Sequence, residues 1–153
     1  MTESKQKLLE LEKEGIYLFH GSPIENLEEL KPHQAYIVSR GGKDMVKDGE
    51  PCIAATPYLE IAIFAAFMSK SKSNFSVSAT SMEDVVIKLK ASEEALETAK
   101  GQKGFVYVLD KAGFVPRSGN NYCMEWRSSA SVKPLWMFEV SYEDLPKNIE
   151  IIK

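Results

Sequence analysis

Strand-like segments that follow one another with few helices between them constrain the fold of this chain more than any other feature. Helices are predicted over residues 3–14, from Thr56-Pro57 onward and from Ser92 to Lys100. The predicted strands cover 16–19, 52–55, 104–110, 122–127 and 135–140. Because few strands alternate with helices, a doubly wound parallel sheet is a poor fit. The order predicts an α+β fold with a split, mainly antiparallel β-sheet and flanking helices.

A single domain is the expectation for a chain of this size. The chain has 153 residues, of which 44% are hydrophobic and 27% are charged, as is ordinary for a globular protein. This length allows a sizeable core, so we predict one domain over residues 1–153. The formal net charge of -3 gives no overall attraction for nucleic acid or a membrane, although a local basic patch stays open.

The cysteines and histidines are too few and too scattered for the common metal and disulfide frameworks. Cys52 and Cys123 have no metal-binding spacing, and His20 and His33 do not share a helix face, so no metal site is predicted. The N-terminal segment is polar, and no apolar run reaches the length of a membrane span. We therefore expect a cytoplasmic protein with reduced cysteines and no membrane partner.

The first candidate motif is His20-Gly21-Ser22, which follows the apolar segment 16–19. A His at the end of a strand points into a cleft or into the core. Gly21 has no Cβ, so a ligand can approach closely, and its N–H and C=O can hold a planar amide. Ser22 adds a hydroxyl for a ribose or an amide. On these residues alone, a core His followed by a Gly-Ser-Pro turn is the plainer interpretation.

The second candidate segment ends in Thr56-Pro57, which is typical of a helix start with Thr at the N-cap and Pro at the first helical position. Helix capping explains Thr56 well. A functional interpretation needs only one ring, from Tyr58, Phe64 or Phe67, to present its face to a flat, cationic ligand.

Glu125 is the most informative single residue, because it stands between Met124 and Trp126 in an apolar segment. An unpaired, buried carboxylate costs several kcal/mol, so Glu125 faces solvent, pairs with a cation such as Arg127, or lines a site. A Glu in a site can stabilise an oxocarbenium ion and bind a ribose hydroxyl. An outward-facing strand residue is the alternative.

These segments resemble three motifs of the ADP-ribosyltransferase superfamily, in its diphtheria-toxin and poly(ADP-ribose) polymerase branch, which carry a His, an aromatic residue and a Glu in turn. His20-Gly21-Ser22 is similar to the first motif. Residues 52–56 and the helix behind them resemble the second, and residues 122–127 with the strand up to 140 resemble the third. The resemblance covers residues 16–140 and implies a split sheet with NAD in the cleft between its halves.

The resemblance also implies roles for individual residues. His20 would bond a ribose hydroxyl of NAD, the Gly21 backbone would hold the nicotinamide amide, and Glu125 would bond the 2′-hydroxyl of the nicotinamide ribose and stabilise the transition state. The second motif departs from the family, because its Tyr is replaced by Phe64, or by Tyr58 out of register. The predicted catalytic residues are Glu125 and His20; the predicted NAD-binding residues are His20, Gly21, Ser22, Thr56, Tyr58 and Phe64.

The implied function is transfer of ADP-ribose from NAD to a protein or nucleic-acid acceptor with release of nicotinamide, and the small size suits a bacterial-style toxin or regulator. Two alternatives stay open. One is an RNA 2′-phosphotransferase, and the other is a non-catalytic module that binds NAD, ADP-ribose or a protein. The phosphotransferase would recruit basic residues, for which Arg40, Lys43, Arg117 and Arg127 are candidates. Predicted loops at 39–50, 69–81 and 111–121 are candidates for acceptor recognition.

Overall fold

The computed structural model describes residues 2–34, 36–38, 44–47, 49–68, 75–79, 86–117 and 124–152. The helices in these ranges are α1 (Glu3–Glu14), α2 (Leu59–Met68) and α3 (Glu93–Ala99), with a short 3-10 helix at Tyr142–Asp144. The strands are β1 (Tyr17–Ser22), β2 (Tyr36–Val38), β3 (Met45–Lys47), β4 (Ile53–Ala55), β5 (Phe75–Ala79), β6 (Ile87–Ser92), β7 (Lys103–Asp110), β8 (Val115–Pro116), β9 (Trp126–Ser128), β10 (Trp136–Ser141) and β11 (Glu150–Ile152).

Local capping sets the ends of α1 and the start of α3. The Thr2 hydroxyl accepts a hydrogen bond from the Lys5 N–H at 3.2 Å, and Gly15 ends α1 in the left-handed conformation at φ 72°. The Ser92 hydroxyl accepts from the Ala95 N–H at 3.1 Å and opens α3. Both helices were predicted from the sequence and are confirmed.

The central sheet has the strand order β1-β7-β10 and is antiparallel throughout. Its middle strand, β7, is buried over six consecutive residues, Gly104 to Leu109, because both faces of the sheet are covered. One face packs against α1 and α2, with Phe19 and Val106 in that core. The other face forms a second core that includes Leu18 and Tyr107.

A second antiparallel sheet, β4-β9-β8, packs against the central sheet, and among the described residues one backbone bridge joins the two sheets. Phe19 of β1 and Thr56 exchange two backbone hydrogen bonds of 2.7 and 2.9 Å. Although all residues of β1 and β4 are described, no further pairing joins these two strands. The sheets therefore separate beyond Phe19, towards His20 and Gly21.

The remaining strands form one three-stranded sheet and one two-stranded sheet. β5 pairs with β6 antiparallel, and β11 pairs with β6 parallel. β2 and β3 form an antiparallel pair. The α+β class and the mainly antiparallel pairing are thus confirmed, whereas an ADP-ribosyltransferase-like arrangement stays a prediction. Within the described part of the chain, no helix combines the length and apolar character needed to span a membrane.

Several local predictions were wrong. The helix expected from Thr56-Pro57 begins at Leu59. Within its described residues, the strand predicted over 122–127 begins at Trp126, so Glu125 precedes it. The predicted loops at 39–50, 69–81 and 111–121 contain the strands β3, β5 and β8 in turn. Their Gly-, Ser- and Lys-rich composition favoured loops, but the apolar alternation of Phe75, Val77 and Ala79 suits a strand once β6 is available as a partner.

Candidate functional site

The candidate site is a cavity of about 360 Å³ at the point where β1 and β4 separate. Residues from all three predicted motifs line it, together with one side of α2. This volume lies in the lower part of the range of about 300–1,000 Å³ for small-molecule sites. The described lining residues are Phe19, His20, Gly21, Ala54, Ala55, Thr56, Ile61, Ala62, Ala65, Val77, Arg117, Met124 and Glu125.

The His20 side chain bridges the gap between the two sheets. Its Nδ1 lies 2.7 Å from the backbone oxygen of Ala54, beyond the last backbone rung between β1 and β4. A carbonyl oxygen can only accept, so Nδ1 carries a proton and donates it. In the neutral ring Nε2 is then an acceptor, and it makes no hydrogen bond within the described residues.

His20 is held in its neutral form. Burial lowers the pKa of the imidazole below its ordinary value of 6.5, and the electrostatic effect of His33 lowers it further. The hydrogen bond to Ala54 opposes this shift without cancelling it. His20 can therefore accept a hydrogen bond from a ligand hydroxyl near neutral pH, and it carries no positive charge into the cavity.

Gly21 is where helix α2 comes closest to strand β1. A Cβ at this position would lie 1.9 Å from the Ala62 backbone oxygen and 2.7 Å from the Ala66 backbone nitrogen. The absence of a side chain is therefore required by helix packing, which differs from the ligand-approach argument made from the sequence. Gly21 also lines the cavity.

Glu125 lies immediately before β9, and two arginines hold its carboxylate. Arg127 Nε is 2.6 Å from Glu125 Oε2, and Arg117 Nη1 is 3.4 Å from the same oxygen. The Arg117 N–H also donates to the Glu125 backbone oxygen at 2.9 Å. The sequence offered pairing with Arg127 and a place in a site as separate explanations of Glu125. Both are present together.

The two hydroxyl residues serve the local backbone. The Ser22 side chain is buried, and its oxygen accepts a hydrogen bond from the Ile24 N–H at 3.1 Å. Thr56 lines the cavity, and its hydroxyl accepts from the Tyr58 N–H at 3.1 Å just ahead of α2. Glu12 of α1 accepts from the Leu59 N–H at 2.6 Å, so a side chain from another helix caps the start of α2.

The aromatic residues expected in the second motif lie away from the cavity. Phe64 is fully buried in the core between α2 and the central sheet, so neither face of its ring is open to a ligand. Tyr58 is not among the described residues that line the cavity. Ile61, Ala62 and Ala65 of α2 form an apolar wall of the cavity instead.

Sequence reasoning missed the Ala54 carbonyl and the apolar wall of α2. A backbone acceptor has no side-chain signature, so only the three-dimensional structure could show it. The α2 wall did have a signal, because the small residues Ala62, Ala65 and Ala66 lie on a helix predicted to be apolar on most faces.

Among the residues described, no group of three or more His, Cys, Asp or Glu side chains is placed to hold a metal ion. Tyr122, Cys123, Arg40 and Lys43, which the sequence analysis named, lie outside the described residues.

Comparison with known proteins adds no relative. No protein-family model, no curated protein and no solved structure matches the chain. The site's own geometry therefore has to carry any functional assignment.

Proposed function

We propose that this protein is an NAD-dependent ADP-ribosyltransferase, which cleaves the bond between nicotinamide and ribose and transfers ADP-ribose to a protein or nucleic-acid acceptor. One observation carries the proposal. His20 and Glu125, which stand more than a hundred positions apart in the sequence, line the same cavity. Each has the hydrogen-bonding character that a ribose at that place would require.

Glu125 suits the charge that develops during this reaction. When the bond between C1′ and the nicotinamide nitrogen breaks, the nitrogen keeps the electron pair and nicotinamide leaves as a neutral molecule. The ribose becomes oxocarbenium-like, and a carboxylate nearby stabilises that positive charge. The acceptor then bonds to C1′ and loses a proton. Glu125 Oε1 makes no hydrogen bond within the described residues, which leaves this oxygen for the 2′-hydroxyl.

The first motif suits the neutral parts of the same ligand. The unprotonated Nε2 of His20 would accept a hydrogen bond from a ribose hydroxyl. A neutral imidazole also avoids repulsion with the cationic nicotinamide ring. Gly21 would offer its backbone to the carboxamide, and the apolar wall of Ile61, Ala62 and Ala65 would contact the ring. The cavity size suits the nicotinamide ribose, with the adenosine half outside.

Arg117 favours a second candidate, an RNA 2′-phosphotransferase on a related scaffold. Its guanidinium lines the cavity, and guanidinium groups bind phosphate well. However, Arg117 is paired with Glu125, so its charge is already partly balanced. A site for a doubly charged 2′-phosphate would be expected to keep carboxylates away. The Glu125 carboxylate in the cavity lining therefore favours NAD.

Calorimetric titration with NAD and with a 2′-phosphorylated RNA oligonucleotide separates the two candidates. We expect NAD to bind and Glu125→Gln to weaken it at least about tenfold, because a charge-assisted hydrogen bond contributes on the order of 1.5–3 kcal/mol. Glu139→Gln is the matched control and should bind NAD normally. Glu139 lies in β10, the strand at the opposite edge of the central sheet from β1. Tighter, strongly salt-dependent binding of the RNA would support the phosphotransferase instead. NAD binding that is indifferent to Glu125→Gln would reject the site.

A further inference from the structure

Arg127 and its strand partner Ala54 contact the two predicted catalytic residues of the candidate site. Arg127 lies in β9, the middle strand of its sheet, opposite Ala54 of β4 on one side and Val115 of β8 on the other. The Ala54 oxygen binds His20, and the Arg127 side chain binds Glu125. Each of the two predicted catalytic residues is thus held by one member of the Ala54–Arg127 strand pair.

The Arg127 side chain is closely confined. Only 17% of it is exposed, and its Nε contact with Glu125 Oε2 is as short as charge-assisted hydrogen bonds usually become. Its Nη1 lies 3.2 Å from where a Cβ on Gly49 would be, so the Gly49 backbone lies close to the guanidinium. A confined, planar guanidinium holds a carboxylate in one orientation better than a flexible ammonium group would.

Arg117 makes a different kind of contact with the same carboxylate. Its Nη1 is 3.4 Å from Glu125 Oε2, its side chain is 35% exposed, and it lines the cavity itself. Both arginines donate a hydrogen bond to Oε2, and neither donates one to Oε1. The shorter and more buried contact therefore sets the orientation of the Glu125 side chain.

We propose that Arg127 is a positioning residue, which fixes Glu125 Oε2 so that Oε1 is presented to the ribose of the ligand. The kinetic consequence of this inference rests on the proposed function. Arg127 itself is not among the described residues that line the cavity. It acts through Glu125, and its replacement should affect the step in which Glu125 stabilises charge more than the binding of NAD.

Steady-state kinetics of nicotinamide release tests that consequence. Arg127→Gln should lower kcat at least about tenfold and change KM less than about threefold, since the lost interaction matters chiefly in the transition state. Arg127→Lys keeps the charge without the guanidinium geometry and should recover part of kcat. Equal losses in the two variants, or a loss confined to KM, would overturn the positioning role.

The conformational order of the Glu125 side chain can be measured even if the protein shows no enzymatic activity. Carbon-13 NMR relaxation of that side chain should show one fixed rotamer in the unaltered protein and in Arg117→Gln, and rotamer averaging in Arg127→Gln and, to a smaller degree, in Arg127→Lys. If the unaltered protein releases no nicotinamide, the proposed function fails, and this measurement still decides the role of Arg127. A fixed Glu125 in folded Arg127→Gln or Arg127→Lys would overturn the inference.

Discussion

A single histidine tautomer shows how this site is built at the scale of residues. The Ala54 oxygen accepts a hydrogen bond from His20 Nδ1, and burial holds the ring in its neutral form. Beyond the bridge between Phe19 and Thr56, no further backbone pair joins the described residues of β1 and β4. The contact between His20 and Ala54 therefore connects these two strands at the edge of the cavity. One residue therefore links the two sheets and presents an acceptor to the cavity.

The lowered pKa of His20 predicts how stability depends on pH. The unfolded chain binds a proton at His20 near pH 6.5, whereas the folded protein binds it only at lower pH. The stability that the neutral ring contributes is therefore present above that pH and is lost as the pH falls from 6.5 through the lower folded-state pKa. We expect His20→Gln to lose less of its unfolding free energy on acidification than the unaltered protein does.

Urea denaturation from about pH 5 to about pH 8 measures this difference. His33→Gln is the control, because it removes the other histidine while leaving the His20 ring and its bond to Ala54 in place. Identical pH dependence in His20→Gln and the unaltered protein would contradict the neutral, buried His20.

Sequence reasoning reached the individual residues of the site unevenly. His20 and Glu125 could be selected because polar groups stand out in apolar segments, and the structure brings them to one cavity. The steric reason why position 21 requires a glycine could not be foreseen. The atoms that would clash with a Cβ there belong to a helix some forty residues away in the sequence. Phe64 illustrates the same limit, because burial in the core depends on which side of α2 meets the sheet.

At the scale of elements, the close contact between α2 and β1 shapes the cavity. The helix backbone at Ala62 and Ala66 lies against Gly21, and the same helix supplies Ile61 and Ala65 to the cavity wall. Small side chains on both elements allow this approach. A change at Gly21 would move α2 and the wall with it.

Gly21→Ala tests that contact. Its Cβ would meet the Ala62 backbone oxygen at 1.9 Å, and backbone cannot turn aside as a side chain can. We expect the free energy of unfolding to fall by at least about 2 kcal/mol, as for other overpacked sites. Gly113→Ala is the comparison, because its Cβ meets nothing within 4 Å and only its φ of 84° opposes the change. That variant should cost about 1 kcal/mol. Equal losses in thermal unfolding would contradict the steric account.

Secondary structure was predictable where local signals were complete. Gly15 ends the helix predicted over 3–14, Ser92 opens the helix predicted to Lys100, and the structure confirms both. β3 and β5 were missed because their strand character depends on a partner far along the chain or across a turn. The late start of α2 has a similar cause, since the Leu59 N–H is capped by Glu12 of α1 rather than by a residue of its own segment.

At the scale of the whole molecule, the separation of two sheets creates the site. The central sheet carries His20 and Gly21, the second sheet carries Ala54 and Arg127, and Glu125 enters immediately before β9. The order of predicted elements led to the α+β class and to a split sheet. Which strands meet at the split could not be read from the sequence, because one bridge between Phe19 and Thr56 decides it.

Release of nicotinamide from NAD tests the central claim most directly. The purified protein would be incubated with NAD, free nicotinamide would be followed by chromatography, and Glu125→Gln and Glu139→Gln would be treated alike. We predict release by the unaltered protein and by Glu139→Gln, and a rate at least about a hundredfold lower in Glu125→Gln, as for loss of a group that stabilises transition-state charge. NAD binding without any release would indicate a non-catalytic module. Release that persists undiminished in Glu125→Gln would contradict the account.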